Sequence, residues 1–364
     1  MRFRLLTGVW TLLVIPALAV TVGARQGAPQ SPPQTGQEPS PASVTTTHLI
    51  VDSLSRRPLR PLDEMVMPIP PVNPATPAKI ALGRRLFFDP QLSVDRTVSC
   101  ATCHDPDHAF ADTRPRAIGV QGKVGRRNSP TLVNRGFGRF QFWDGRVDTL
   151  EDLVLMPIED PNEMAMPLPD LLKRLAADES YVAAFQTVFE RPVSSEEIDL
   201  ALAAYVRTIR SDHSPYDQFV AGITDALTTE AQLGLSLFRG KARCGICHRE
   251  PLFTDEQFYN TGVAVRADTS KDDTWKDEGR FAVSHNERDR GVFKIPTLRE
   301  VAQTAPYMHD GSLPTLEAVI EFYDAGGRAS GNRMSLIRPL GLTADEKKGL
   351  IAFLQSLSGV VSGK

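Results

Sequence analysis

The four cysteines of this chain occur in two copies of one pattern, Cys100-Ala-Thr-Cys103-His104 and Cys244-Gly-Ile-Cys247-His248. Two thiols at this spacing can add to the vinyl groups of a haem, and the histidine that follows can ligate its iron. The adjacent histidine separates the pattern from a thioredoxin-like dithiol, and no cysteine is left over for a zinc site or a disulfide. The sequence therefore predicts two covalently bound c-type haems, with His104 and His248 as ligands of the two irons.

The sixth position on each iron decides what it does. Two strong protein ligands make an electron carrier, whereas an open position admits peroxide or dioxygen. His108 follows His104 on the same stretch and is poorly placed to reach the opposite haem face, so it reads as a surface or supporting histidine.

Each motif must be positioned by the elements before it. LGRRLFFDP (82–90) precedes the first and LGLSLFRGK (233–241) the second. The shared LGxxLF core has a helical period and leads through a loop into CxxCH, which implies an internal duplication. Ser194 and Glu197 read as a capping box for a helix with Ile198, Leu202, Tyr205, Val206 and Ile209 on its apolar face. Thr229 with Gln232, and Thr343 with Glu346, open two further helices. The last of these turns Leu350, Phe353, Leu354 and Leu357 inward. Another helix begins at Thr315, runs through Tyr323 and ends at Gly326-Gly327. No sustained alternating runs compete, so the expected class is mostly α, with two cytochrome c-like haem domains in tandem. The domains are placed at 74–213 and 214–364, with the boundary near Ser214.

The chain has 364 residues and a formal net charge of −3, without a basic stripe interleaved with aromatics. That excludes nucleic acid as a natural partner. Arg2 and Arg4, an apolar run and the small residues near Val22-Gly23-Ala24 read as a signal peptide over 1–24, with an uncleaved membrane anchor as the alternative. Residues 25–73 read as a disordered linker, most markedly up to about residue 47, where Pro, Gln, Ser and Thr prevail. A periplasmic location fits an exported chain that carries c-type haem.

FWDGR (142–146), PIEDPNEM (157–164), RRNSPTLVN (126–134) and KIPTLREVAQTAPYMHDGS (294–312) give the chain a further resemblance. Together with both haem motifs in order, over roughly residues 74 to 357, they resemble the bacterial dihaem cytochrome c peroxidase and MauG superfamily. The resemblance implies peroxide chemistry at the N-terminal haem, electron transfer at the C-terminal one, and Trp143 between them. It implies that Glu163 is the distal acid–base group, a role suited to a carboxyl whose pKa an apolar pocket has raised. Leu153 stands where the family usually has a glutamine, and this removes a hydrogen-bonding partner for peroxide or for Glu163.

Two more positions follow from the resemblance. Val120 stands where members that need reductive activation carry a histidine that blocks the first iron, so that iron is expected to be open at rest. Tyr323 stands fourteen residues after His309, where such members have an axial methionine and the MauG-like branch has tyrosine. A phenolate lowers the potential of its iron and a methionine raises it. Met308 and Met334 are rival ligands. One calcium ion is also implied, held by the side chain of Asn128 and the carbonyls of Thr304 and Pro306, an oxygen-only set that suits it. Residues 268–278 lack the spacing and central glycine of an EF-hand and read as a solvated loop, where Trp275 could meet a partner. The MauG-type surface tryptophan before the second CxxCH is Ala242 here, so that route to substrate does not transfer.

The leading expectation is a periplasmic dihaem peroxidase-like oxidoreductase of the MauG-like branch. It reacts with hydrogen peroxide and oxidises a small c-type cytochrome or another periplasmic protein. The alternatives are a cytochrome c peroxidase that detoxifies peroxide with electrons from a small cytochrome c, and a dihaem electron carrier without catalysis.

Overall fold

Each half of the molecule is organised around one crossing of two helices, and the glycine of LGxxLF is what lets them meet. The structure is a computed structural model that describes residues 60–265, 276–328 and 334–364. In the first half, α1 (Pro77–Phe88) starts at Thr76, whose hydroxyl accepts from the Lys79 amide, with Pro77 at the first helical position. It packs on α2 (Ser195–Val206). A Cβ on Gly83 would lie 1.9 Å from the Ala201 carbonyl oxygen, so only glycine permits this approach. In the second half are α3 (Thr229–Arg239), α4 (Leu316–Asp324) and α5 (Ala344–Gln355). α3 packs on α5, and a Cβ on Gly234 would lie 1.9 Å from the Gly349 carbonyl oxygen.

The phenylalanine that follows in each copy of the core fills the same place. Phe87 meets Tyr205 at 5.1 Å between ring centroids, and Phe238 meets Phe353 at 5.0 Å. One buried cluster then gathers Leu86, Phe110, Leu171, Phe185 and Leu202, and a second gathers Tyr216, Phe253, Leu350 and Leu354. Each fully buried large apolar side chain contributes roughly 1.5–3 kcal/mol. The molecule is mostly helical, as the periodicity predicts.

The strands are two residues long. β1 (Ser211–Asp212) pairs with β4 (Val360–Val361), and β2 (Phe258–Tyr259) pairs with β3 (Phe293–Lys294), both antiparallel. The first pair returns the C-terminus to the first half, where the Tyr205 hydroxyl also donates to the Gly363 carbonyl at 2.7 Å. Ser214 caps the short helix Pro215–Val220, whose Asp217 is buried and takes both terminal nitrogens of Arg299.

Two caps fall as expected, at Thr315 and Thr343, whereas Ser194 occupies its N-cap position without forming the expected capping box. At Ser194 the hydroxyl donates to the Glu197 carboxylate instead of accepting from the backbone. The third helix is capped one residue earlier than expected: the Thr228 hydroxyl accepts from the Ala231 amide, and Thr229 is already helical. The segment read as linker is anchored near its end. Leu62 is fully buried and its amide donates to Asp217, while the Asn73 amide bonds Glu151 and the Leu200 carbonyl. The expected signal segment, the linker up to residue 59 and Trp275 lie outside the described residues. Among the described residues no helix is long and apolar enough to cross a membrane.

Candidate functional site

The two CxxCH motifs are held by the same local device. His104 Nδ1 donates to the Phe110 carbonyl at 3.2 Å, and His248 Nδ1 donates to the Phe253 carbonyl at 2.9 Å. A carbonyl can only accept, so each bond places the proton on Nδ1 and leaves the Nε2 lone pair for a metal. Burial lowers the pKa of both imidazoles and favours the neutral form that can ligate. Phe110 and Phe253 both take left-handed backbone conformations, with φ of 56° and 54°. The carbonyls beside them are pinned alike: the Thr131 hydroxyl donates to Ala109 O at 2.5 Å, and Thr297 to Leu252 O at 2.6 Å. Sequence reasoning missed this support. A Pro-Thr-Leu tripeptide repeated at 130–132 and 296–298 was the available signal.

The donor sets fit haem. All four thiols are unpaired, and burial raises Cys100 and Cys244 to about 12, followed by Cys103 and Cys247 at about 11. A cavity of about 240 Å³ opens beside the second motif. Cys244, Cys247, His248 and Tyr323 all line it. Burial pushes the Tyr323 phenol well above its ordinary value, and the two nearby thiols add to the shift. Met308 and Met334 line the same cavity, so the fold brings all three candidate ligands to one place.

At the first motif the acid–base candidate lies close to the thiols. Glu163 acts electrostatically on both Cys100 and Cys103, and its own carboxyl is pushed up to about 7. Burial is the main cause and the like charge of Asp160 adds to it, while Arg146 opposes. Val120 is fully buried in the same core, and Leu153 packs against that core. His108 is largely exposed and bonds Asp105 at 2.8 Å, as expected of a surface histidine.

Trp143 lies beside the second motif. It lines the second-motif cavity and a smaller one of about 40 Å³, which the Pro-Thr pairs 130–131 and 296–297 border. The indole Nε1 donates to the Asn128 carbonyl at 2.9 Å, and the Trp143 carbonyl accepts from the Lys294 amide at 2.8 Å. Asn128, Thr304 and Pro306, the residues named for calcium, line the same second-motif cavity. Among the described residues no protein group donates to Asn128 Oδ1 or to the Thr304 and Pro306 carbonyls. Also among the described residues, no cluster of three or more His, Cys, Asp or Glu side chains is arranged to hold a metal ion. His309, which sequence reasoning used only as a landmark, is buried, stacks on Phe293 at 3.7 Å between centroids and faces Trp143 at 6.4 Å. Burial pushes its pKa down to about 4.

Comparison with known proteins agrees with this geometry. The sequence profile of the family described as di-haem cytochrome c peroxidase matches residues 77–225. The chain is 38% identical over 293 residues to methylamine utilization protein MauG of Methylorubrum extorquens, covering 80% of this chain and 81% of that protein. It is 37% identical over 334 residues to cytochrome-c peroxidase IdrP1 of Denitromonas iodatirespirans, covering 83% and 86%. Among solved structures, a MauG-like protein associated with microbial copper homeostasis superposes with a TM-score of 0.73 at 34% identity, covering 80% of this chain and 92% of that one. With this much of the chain matched at this identity, the chain belongs to the di-haem cytochrome c peroxidase and MauG family of oxidoreductases.

Proposed function

We propose that this protein is a periplasmic di-haem c-type oxidoreductase of the MauG-like kind. Hydrogen peroxide is received at the Cys100–His104 site, and a second protein is oxidised by way of the Cys244–His248 site. The reading includes two cytochrome c-like domains in tandem, over 74–213 and 214–364, each attached to haem through its two thiols.

Glu163 carries the proposal: a partly buried carboxyl that titrates near neutrality, close to the first pair of thiols. Haem iron, when bound, supplies the metal centre at which the peroxide O–O bond is cleaved. Glu163 can take a proton from one peroxide oxygen and return it to the departing one, and a pKa near the working pH suits both transfers. Val120 offers no side-chain ligand, which supports a first site accessible at rest. Trp143 would provide an indole between the two sites, and His248 with Tyr323, in preference to Met308 or Met334, would hold the second haem iron. Asn128, Thr304 and Pro306 offer oxygens suited to one calcium ion.

The relatives named above include both a MauG and a cytochrome-c peroxidase. The second reading is therefore peroxide removal with electrons from a small c-type cytochrome. One experiment separates the readings: treat the ferric holoprotein with cyanide, then separately with stoichiometric peroxide, and follow visible and near-infrared spectra. A long-lived state with charge shared between the sites supports the MauG-like reading. Fast return to rest only with reduced cytochrome c present favours peroxide removal. Indifference to both cyanide and peroxide identifies an electron carrier and overturns the proposal.

A further inference from the structure

Glu256 plays no part in the chemistry above, yet it joins the two halves at the tryptophan. It is 7% exposed, and its φ of 56° is an uncommon conformation for a residue with a side chain. Its Oε1 accepts from Arg135 Nη1 at 2.7 Å and from Lys294 Nζ at 3.4 Å. Its Oε2 accepts from the backbone amides of Arg139 at 2.8 Å and Phe140 at 3.3 Å. Burial opposes the charge, but Arg135 and then Lys294 hold the carboxyl down at about 2, so it is ionised at any working pH.

Arg135, Arg139 and Phe140 form the stem of the loop that carries Trp143. Arg135 also donates to the Phe140 carbonyl at 2.6 Å and to Gln141 Oε1, and the Gln141 amide closes the loop onto the Val147 carbonyl at 2.7 Å. Three residues before Glu256, the Phe253 carbonyl holds His248. The stretch 253–256 thus grips the second-motif histidine at one end and the tryptophan loop at the other. The first half has no equivalent. Phe110 corresponds to Phe253, and three residues beyond it stands Thr113, so duplication does not account for Glu256.

We propose that Glu256 is a positioning residue for charge sharing: its carboxylate clasps the Trp143 loop to the segment that orients His248 and fixes the indole between the two haem sites. The proposal rests on the reading of Trp143 as the bridge.

The test uses holoprotein variants Glu256→Ala, Glu256→Gln and Trp143→Phe. Haem content, resting spectra, peroxide consumption at the first site and the rate of redox equilibration between the sites are measured on each. Glu256→Ala should slow equilibration by on the order of tenfold or more, because a misplacement of about 1 Å can cost that much. Haem content and the first peroxide step should be retained. Glu256→Gln keeps an acceptor for the Arg139 and Phe140 amides and should restore most of the rate. Arg135→Met breaks the same clasp from the other half, should slow equilibration likewise, and decides the matter if Glu256→Ala does not assemble. Slow equilibration in Trp143→Phe with wild-type rates in Glu256→Ala and Arg135→Met overturns the positioning role alone. A wild-type rate in Trp143→Phe overturns the bridge reading and the proposal with it.

Discussion

The backbone amide of Val120 donates to the carbonyl of Glu163 at 2.8 Å. A Cβ on the preceding Gly119 would lie 2.4 Å from that same carbonyl oxygen, so the glycine is what allows the two loops to meet. Val120 is thus part of the backbone frame around Glu163. The contact runs through its backbone amide, and its apolar side chain offers no ligand to a metal.

Replacing Glu163 by glutamine should reduce the rate of peroxide reaction by roughly 10²–10⁴-fold, the usual contribution of a positioned acid–base group. Resting spectra and haem content should be unchanged. Stopped-flow spectroscopy of the ferric protein with peroxide measures it, and a wild-type rate would remove Glu163 from the chemistry.

The pH dependence has a defined sign. Glu163 must be ionised to accept a proton, and its carboxyl titrates at about 7, so the rate should rise as pH increases through that value. Asp160→Asn removes a like charge and should move the midpoint to lower pH. Arg146→Met removes the opposing cation and should move it to higher pH. A midpoint that ignores both variants belongs to another group.

Tyr323→Phe should alter the visible and electron paramagnetic resonance signals of one haem and leave the other as in the wild type. Met308→Leu and Met334→Leu serve as controls and should leave both haems unchanged. A spectral change confined to a methionine variant would transfer the axial role to that residue.

Gly83→Ala and Gly234→Ala each force a methyl group to within 1.9 Å of a carbonyl oxygen in the facing helix. Overpacking of this kind costs about 1–3 kcal/mol or more. The melting temperature falls by roughly 2–4 °C for each kcal/mol in a unit of about 150–250 residues, and by less in a longer cooperative one. Calorimetry on the holoprotein should register a loss in both variants, because each glycine lies at the centre of its own half.

Local features were the legible ones. The CxxCH motifs and the LGxxLF repeats are contiguous, and the repeats proved to be structural ones, with the same helix crossing and an equivalent aromatic contact, Phe87–Tyr205 in one half and Phe238–Phe353 in the other. Helices were visible because their apolar faces recur at short intervals, and the Thr343–Glu346 cap could be read directly. The frame around the histidines was harder to see, because backbone carbonyls carry no residue label. Glu256 was invisible for a different reason: its partners Arg135 and Arg139 lie more than a hundred residues away, in loops without periodicity. Anchoring of Leu62 was hidden likewise, since a short proline-rich stretch resembles a linker until its distant partner Asp217 is known. The alignment of Glu163 with the first motif came from the resemblance, and its shifted titration came only from the fold.

The pairing of β1 with β4 has a consequence for how this protein is made. Residues 360–363 complete the edge beside Ser211 and satisfy the Tyr205 hydroxyl, so the N-terminal half lacks part of its own frame until those residues have been synthesised. Maturation cannot proceed strictly from one end to the other. Deletion of residues 360–363 is felt first in the half that is translated first.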